Sequence, residues 1–465
     1  MKLFGTAGIR MKYPSELTPE LVVRIGNAVG RLGLSRKAYV VHDTRTTSQL
    51  ISFLVSTGLM TTSVDVFYAG LAPTPVAGFI ALKEKAVGIS VTASHNPPEY
   101  NGLKFYDPNG FEFTRDLEVK IEELVDQPLY REWSETGRLW RSENIVDDYY
   151  NSLLGYIGEV RAQWQPNIVI DCANGAAYQL SPSVIRKLGG KPYTFNCNPD
   201  GFFPIRPPEP RKDVLEELLG VYKTVNPAVI FAHDGDADRV AVLDPVEGFI
   251  RQDRILAFYA KKILEEKKGH VVVSIDTGYV VDEVVERAGG TLERYVLGKT
   301  HERLKELGVN NVVMAGEPWK LIYPSWGPWV DGILQVAIIT KAVVESGKPF
   351  SKILREEEIP DYPWDRRSYI LEPESIRDIV YSELIQELHS ALGDPVRVID
   401  IDGYRFEYKD YSWILVRKSG TEPKIRVYAE ARTKQRLDEI TSKTESILFK
   451  LTKKHGGRIV EKTIG

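Results

Sequence analysis

VVVSIDTGYVVDEVVERAGG, residues 271–290, is the stretch on which the fold turns. Its first six residues, Val271–Asp276, form a β-branched run that closes on an aspartate. Thr277 and Gly278 break the run. Val281, Val284, Val285 and Ala288 then recur at helical spacing, and Gly289-Gly290 stop the helix. A strand that passes through a short polar turn into an amphipathic helix is the βα unit of an α/β sheet. Working outward, the same pattern stands at Ile168–Asp171 (IVID), followed by CANG. The helix there holds Val184, Ile185 and Leu188 and ends at Gly189-Gly190. A third run, Ala38–Asp43 (AYVVHD), is followed by Thr-Arg. Three such units at intervals of about 100–130 residues predict three related α/β domains.

The last hundred residues differ. Val396–Ile401 and Tyr404–Glu407 are strand-like around an Asp402-Gly403 turn, with further strands at Ser412–Val416 and Ile425–Ala429. A helix from about Thr433 to Lys453 closes the series, which reads as a small α+β domain. Pro360 to Pro363 is the expected linker. The resulting division is 1–146, 147–247, 248–359 and 360–465.

Composition excludes several classes. A net charge of −4 with no dense Lys/Arg run argues against a nucleic-acid partner. No stretch approaches the ~20 apolar residues of a membrane span. Gly332 to Val344 carries Gln335 and Lys341 and reads as a packed helix. MKLFGTAGIR lacks an apolar signal region, and Cys172 and Cys197 are too few for a disulfide framework. The expectation is therefore a cytoplasmic protein with reduced cysteines. Self-association into a homo-oligomer stays open.

Four segments carry chemistry. In Thr92-Ala93-Ser94-His95-Asn96-Pro97-Pro98 the prolines make a rigid loop on which Ser94 can act as a nucleophile. His95 and Lys104 are the candidates for proton handling. No Gly-x-Ser-x-Gly surrounds Ser94, so a hydrolase triad is unsupported. On residues alone a helix cap or Asx-type turn is the favoured reading of Ser94. Asp234-Gly235-Asp236-Ala237-Asp238-Arg239 puts three carboxylates at alternate positions behind a strand-like run, Ala228–Phe231. They can converge on one hard cation, with Arg239 beside it. Arg239 and Pro245 stand where an EF-hand needs Gly and Glu, so Mg²⁺ is expected rather than Ca²⁺. Arg417-Lys418-Ser419-Gly420-Thr421-Glu422-Pro423-Lys424 offers a guanidinium fork, hydroxyls and a glycine for a phosphate. The one Gly-Lys-Thr, residues 298–300, lacks the earlier Walker glycine, since Glu293 stands there. Gly316-Glu317-Pro318-Trp319-Lys320 pairs an acid with an aromatic, as a sugar site or as a buried tryptophan.

Serine loop, metal loop and phosphate cradle together imply phosphoryl transfer. In these segments the chain resembles the α-D-phosphohexomutases, the phosphomannomutase and phosphoglucomutase group. Phe4 to Arg10, Thr92 to Pro97, Asp171 to Gly175, Asp200 to Pro204 with Pro208-Glu209-Pro210, Asp234 to Arg239 and Arg417 to Lys424 match its motifs in order. The resemblance implies three α/β domains and a C-terminal α+β domain around a central cleft. It implies Ser94 as phosphoryl carrier, with Ser94, Asp234, Asp236 and Asp238 around Mg²⁺. Arg10 and Arg239 would stabilise transferring charge, and Lys104, assisted by His95, would act as general base or acid. Arg417, Ser419, Gly420, Thr421 and Lys424 would grip the unreacting phosphate, and Glu317 and Lys299 would contact the sugar. Hexose 1-phosphate and hexose 6-phosphate would interconvert through a hexose 1,6-bisphosphate. Pro318-Trp319-Lys320 departs from the family's Ser-Gly-His type of continuation, so Trp319 or Lys320 would set sugar preference. Phosphoglucosamine or N-acetylglucosamine-phosphate mutase is the alternative within the class. A sugar phosphatase and a silent sugar-phosphate sensor are the alternatives outside it.

Overall fold

A computed structural model describes residues 2–5, 7–162, 164–419 and 424–464. Four sheets are arranged along the chain. In the first, the order is Ile9–Lys12, Tyr100–Tyr106, Val87–Val91, Lys37–His42, Asp65–Leu71 and Leu139–Arg141. The second runs Gly248–Phe249, Val240–Asp244, Val229–His233, Asn167–Asp171 and Lys191–Phe195, and the third runs Thr291–Tyr295, His270–Ser274, Val312–Glu317 and Lys320–Ile322.

One plan recurs in all three. The β-branched runs read from the sequence become the strands Lys37–His42, Asn167–Asp171 and His270–Ser274. Each has parallel neighbours on both sides. One neighbour then turns back into an antiparallel strand: Val87–Val91 into Tyr100–Tyr106, Val229–His233 into Val240–Asp244, and Val312–Glu317 into Lys320–Ile322. The helices after the central strands, Ser48–Met60, Leu180–Lys187 and Tyr279–Arg287, return the chain across the sheet.

The inner faces of the three sheets share one continuous core. It joins Val41 and Ile80 to Ile170, Phe231, Val273 and Leu334. Helix Gly332–Ser346 runs through it, capped by the Asp331 carboxylate, which accepts from Leu334 N, and stopped at Gly347 in the left-handed conformation. Its Lys341 reaches the surface and donates to Ile157 O.

The fourth sheet is wholly antiparallel, in the order Arg397–Ile399, Tyr404–Glu407, Trp413–Lys418, Lys424–Glu430, Trp364–Glu372 and Arg458–Ile464. Period-2 alternation splits its side chains. Ile414, Val416 and Val427 lie under helices Arg377–Leu392 and Lys434–Lys454. Trp413, Leu415 and Tyr428 face Ile275 and Tyr279 of the third domain. Strands 364–372 and 458–464 were not anticipated from the sequence, because charged residues interrupt their apolar ones; helix 377–392 was passed over although Val380, Tyr381, Leu384, Leu388 and Leu392 recur at helical spacing. The expected linker is tied down: Tyr362 Oη donates to Glu283 Oε2 at 2.7 Å.

The cysteines require a correction. Cys172 and Cys197 form a disulfide, with Cα atoms 4.8 Å apart, and no free cysteine is found among the described residues. Counting could not show this. The parallel register sets Asp171 beside Phe195, so the next turns bring the two residues together. No helix among the described residues is long and apolar enough to cross a membrane.

Candidate active site

The site loops occupy equivalent positions of the repeat. Each lies where a parallel strand turns back into its antiparallel neighbour: 92–99, 234–239 and 318–319. Each also bends through a non-glycine residue at positive φ, at Ser94 (+50°), Ala237 (+60°) and Trp319 (+68°). That conformation costs about 1–2 kcal/mol per residue, so the surroundings must hold it.

For the serine loop the holding group is Arg45, which sequence reading passed over. Asp43, just past the central strand, accepts from Arg45 Nε at 3.1 Å. The guanidinium then donates to the carbonyls of Ser94 (2.9 Å), Asn96 (2.6 Å), Pro97 (2.5 Å) and Tyr100 (2.9 Å). Thr92 Oγ1 donates to Asp43 at 2.7 Å and accepts from Ser94 N at 2.7 Å. Ser94 is fully buried. In the second domain Asp171 holds Arg206 Nε at 3.0 Å, and Arg206 Nη2 donates to His233 O at 2.7 Å, just before the acidic loop. Asp276 pairs with Arg366 at 3.4 Å. The aspartates that close the three sequence runs thus each hold a buried or half-buried arginine. The available signal was Asp43-Thr44-Arg45 itself.

The acidic loop meets the serine loop directly. Ser94 Oγ donates to Asp234 Oδ2 at 2.7 Å. A Cβ on residue 235 would stand 2.7 Å from the Ser94 carbonyl oxygen, so only glycine permits this approach. Thr74, another residue the sequence did not mark, donates to Asp236 Oδ2 at 2.7 Å and ties the first domain to the loop. Asp234, Asp236 and Asp238 are buried, with one carboxylate oxygen of each within 4.8 Å of the others. Asp236 Oδ1 and Asp238 Oδ1 have no hydrogen-bond partner. Burial, then Asp236 and Asp238, pushes the Asp234 carboxyl well above its ordinary range. Orphaned oxygens and mutual repulsion fit a small hard cation.

Lys104 enters the same cluster, with Nζ 2.7 Å from Asp236 Oδ2 and 2.5 Å from Asp238 Oδ2. Burial disfavours its charge, but the two aspartates outweigh burial and hold it above the ordinary lysine value. Arg10 Nη1 stands 3.3 Å from His95 Nδ1 and donates to Asn96 Oδ1 at 3.2 Å. Burial, then Arg239 and Arg10, drives the His95 pKa down and keeps the imidazole neutral. With Arg10 donating to Nδ1, the ring proton sits on Nε2. Arg239 Nε lies 3.8 Å from Asp238 Oδ1, and Nε of both Arg10 and Arg239 is buried without a hydrogen-bond partner. Ser94, His95, Lys104, Arg10, Arg239 and the three aspartates therefore converge.

The remaining candidates are arranged differently. Glu317 is buried; it accepts from Thr300 Oγ1 at 2.9 Å and lies 3.4 Å from Lys320 Nζ. Lys320 acts electrostatically on Asp238 as well. Trp319 is half-buried and packs against the apolar cluster of the second domain that contains Ile230, Ala241 and Leu243. Lys299 Nζ pairs with Glu302 at 3.3 Å. Arg417 Nη2 is held by Asp402 at 2.9 Å. Ser419 N donates to Lys424 O at 2.9 Å, and Ser419 Oγ accepts from Arg426 at 3.4 Å. Gly420 and Thr421 lie outside the described residues. Among the described residues, no hydrogen bond or ion pair joins Arg417 or Ser419 to the Ser94–Asp234 cluster.

The geometry can be set beside known proteins. Residues 1–131 match the phosphoglucomutase/phosphomannomutase α/β/α domain I. Residues 147–247 match domain II, 251–359 domain III, and 379–445 the C-terminal domain of the same family. A phosphopentomutase of Thermococcus kodakarensis is 38% identical over 97% of this chain and 99% of its own length. A "Probable phosphoglucosamine mutase" of Methanosphaera stadtmanae is 35% identical over 94% and 96%. The crystal structure of a phosphoglucomutase/phosphomannomutase family protein from Burkholderia thailandensis superimposes with a TM-score of 0.84 at 24% identity. It covers 98% of this chain and 99% of that one. An Aspergillus fumigatus N-acetylphosphoglucosamine mutase, solved with GlcNAc-6P and magnesium, shares the fold at a TM-score of 0.60 and 17% identity, over 97% and 96% of the two chains. With all four domain types present in order, the chain belongs to the α-D-phosphohexomutase family and is an isomerase that transfers a phosphoryl group within its substrate.

Proposed function

We propose that the protein interconverts the 1-phosphate and 6-phosphate of a hexose, mannose or glucose, by way of phosphorylated Ser94. The observation that carries this reading is the 2.7 Å contact from Ser94 Oγ to Asp234 Oδ2, which joins a nucleophile on one domain to the acidic loop of another. In the first half-reaction the free sugar hydroxyl attacks phosphoserine phosphorus. The P–O bond to Ser94 breaks, and a hexose 1,6-bisphosphate results. After the intermediate turns end for end, Ser94 Oγ attacks the other phosphate and the product leaves. The phosphate on the resting enzyme is regained at each turnover.

Asp234, Asp236, Asp238 and the Ser94 oxygen would hold Mg²⁺, which offsets charge on the transferring phosphoryl group. Arg10 and Arg239 both interact electrostatically with the acidic loop and would offset that charge further. Lys104 is held as an ammonium and suits the acid part of the proton traffic. Neutral His95, oriented by Arg10, fixes the guanidinium rather than carrying charge itself. The separate Arg417–Lys424 segment suits a second phosphate at the far end of the sugar. These roles agree with a relative of the fold that was crystallised with a sugar 6-phosphate and magnesium.

The two sequence relatives favour a second reading of the substrate, a pentose phosphate or glucosamine phosphate. The packed Trp319 and the charged Lys320 at the sugar loop leave it open. Phosphorus NMR with Mg²⁺ and a trace of glucose 1,6-bisphosphate decides between them. The panel is the 1-phosphates of mannose, glucose, glucosamine, N-acetylglucosamine and ribose. Conversion of a hexose 1-phosphate to its 6-phosphate, lost in Ser94→Ala, is the expected result. Conversion of ribose or glucosamine phosphate alone would overturn the hexose assignment. Release of inorganic phosphate, or substantial turnover by Ser94→Ala, would overturn the phosphoserine cycle.

A further inference from the structure

Arg31, Arg36, Arg131 and Arg138 line one cavity of about 920 Å³ in the first domain. Among the described residues none of the four forms an ion pair. Arg31 donates to Gln127 O, and the side chains of the other three form no hydrogen bond. The domain's other arginines, Arg10 of the active site apart, are paired: Arg24 with Asp126, Arg45 with Asp43, Arg115 with Glu122 and Arg141 with Glu143. Asp65 and Glu135 are the carboxylates of the lining, so two positive charges stand in excess there, in a chain whose net charge is −4.

Backbone bonds bring these arginines together. Arg131 N donates to Thr61 O and Gly137 N to Met60 O, both at 2.9 Å. Arg138 N donates to Asp65 Oδ1 and Val66 N to Arg138 O, both at 2.8 Å. A Cβ on residue 137 would stand 1.9 Å from Val64 O, so only glycine permits this contact. Segment 131–138 is thus tied at both ends, and the exposed 3₁₀ turn Trp133–Glu135 between the ties contributes to one wall. The facing wall is the turn from helix Pro19–Arg31 into strand Lys37–His42, which carries Arg31 and Arg36. Asp65 N donates to Arg36 O at 2.8 Å and ties that wall to the same strand. The guanidinium groups themselves take no part in holding the walls.

Guanidinium forks match phosphate oxygens two at a time, and four forks from two walls exceed what a single phosphate group can use. The volume is that of a site for a small organic molecule. Trp140 lines the same cavity and offers an apolar ring face. We propose that the cavity binds a small organic molecule carrying at least two phosphate groups, with the arginines on the phosphates and Trp140 against the organic part. A nucleoside polyphosphate and a sugar bisphosphate share this chemistry. The cavity is separate from the Ser94 cluster. Arg36 precedes strand Lys37–His42, and Asp43 and Arg45 follow its far end, about 20 Å away for six residues of strand. Binding there is independent of which sugar the Ser94 cluster takes.

Isothermal titration calorimetry of the full chain in EDTA and low salt, about 50 mM, is the test, because exposed charges are least screened there. ATP, glucose 1,6-bisphosphate and inorganic phosphate are titrated in turn. ATP or the bisphosphate should bind, and inorganic phosphate should bind more weakly. The double variant Arg131→Gln, Arg138→Gln on one wall and the single variant Arg36→Gln on the other should each weaken that binding about tenfold or more, through lost charge-assisted hydrogen bonds. Circular dichroism and mutase turnover should be unchanged, since these side chains hold nothing in the protein. Binding of ATP but not of the bisphosphate assigns the cavity to a nucleotide. A bisphosphate that fills two sites per chain in the wild type and one in the double variant assigns it to the sugar. Failure of ATP and the bisphosphate to bind the wild type overturns the proposal, as do equal affinity and stoichiometry in all three proteins. Inorganic phosphate binding as tightly as either, or a loss in the double variant that Arg36→Gln does not share, overturns it as well.

Discussion

Arg45 Nη2 lies 2.9 Å from the carbonyl oxygen of Ser94, and this bond joins the central strand of the first sheet to the candidate nucleophile. The same guanidinium holds three further carbonyls of the loop. Arg45→Gln keeps polarity but cannot span them. It should lower stability by about 3–5 kcal/mol, because Asp43 is left buried without its partner. Turnover in the surviving folded protein should drop at least tenfold. Urea titration beside a coupled mutase assay reads both, and unchanged turnover would remove Arg45 from the support of Ser94.

Lys104 and a metal ion address the same aspartates. Lys104→Met leaves Asp236 and Asp238 without their ammonium and should cost about 3–5 kcal/mol when divalent cations are chelated. Mg²⁺ binds the folded state and supplies positive charge at that point, so millimolar Mg²⁺ should recover part of the loss. Melting temperatures of wild type and variant, with EDTA and with Mg²⁺, give the comparison. A difference indifferent to Mg²⁺ would show that the aspartates do not hold the ion.

The disulfide closes a loop with a sequence separation of 25 between Cys172 and Cys197. Loop-closure entropy of that length is worth about 3.5 kcal/mol at 25 °C. The double variant Cys172→Ala, Cys197→Ala should lose stability of that order in urea titration. Asp171 and Asn196 flank the two cysteines and share a 2.6 Å hydrogen bond, so the acidic loop behind Arg206 should also become more accessible to hydrogen exchange. Equal stability of the variant and the parent would count against the bridge.

Glu118, on helix Arg115–Leu124, has its pKa raised from 4.5 to about 7. Burial is the main cause, the Arg115 hydrogen bond opposes it, and Glu112 and Glu302 add repulsion. The folded protein therefore holds this proton more tightly than the unfolded chain does. The stabilisation is complete below pH 4.5 and is lost as pH rises through about 7. Glu118→Gln stays neutral and can still accept from Arg115. Its stability relative to wild type should climb between pH 4.5 and 7 and then level off. Parallel pH profiles of the two proteins in urea would contradict the shift.

The repeat was legible because strand and helix periods are local properties. IVID at 168–171 and VVVSID at 271–276 became central strands with little change. The acidic loop was legible for the same reason, since Asp234, Asp236 and Asp238 are two residues apart on one turn. The charged strand 364–372 was not, because its pairing with Lys424–Glu430, rather than its own pattern, makes it a strand.

By itself, then, the sequence determined the three βα units, the antiparallel final domain and the residue types of each loop, all of which depend on contacts a few residues apart. Only the tertiary structure decided that Ser94 meets Asp234 across 140 positions, that Arg45 carries the serine loop, that Trp319 packs against the second domain and that Cys172 pairs with Cys197. Those relations follow from sheet register and from the packing of three inner faces on one core. Both are set by long-range contacts that no local pattern encodes.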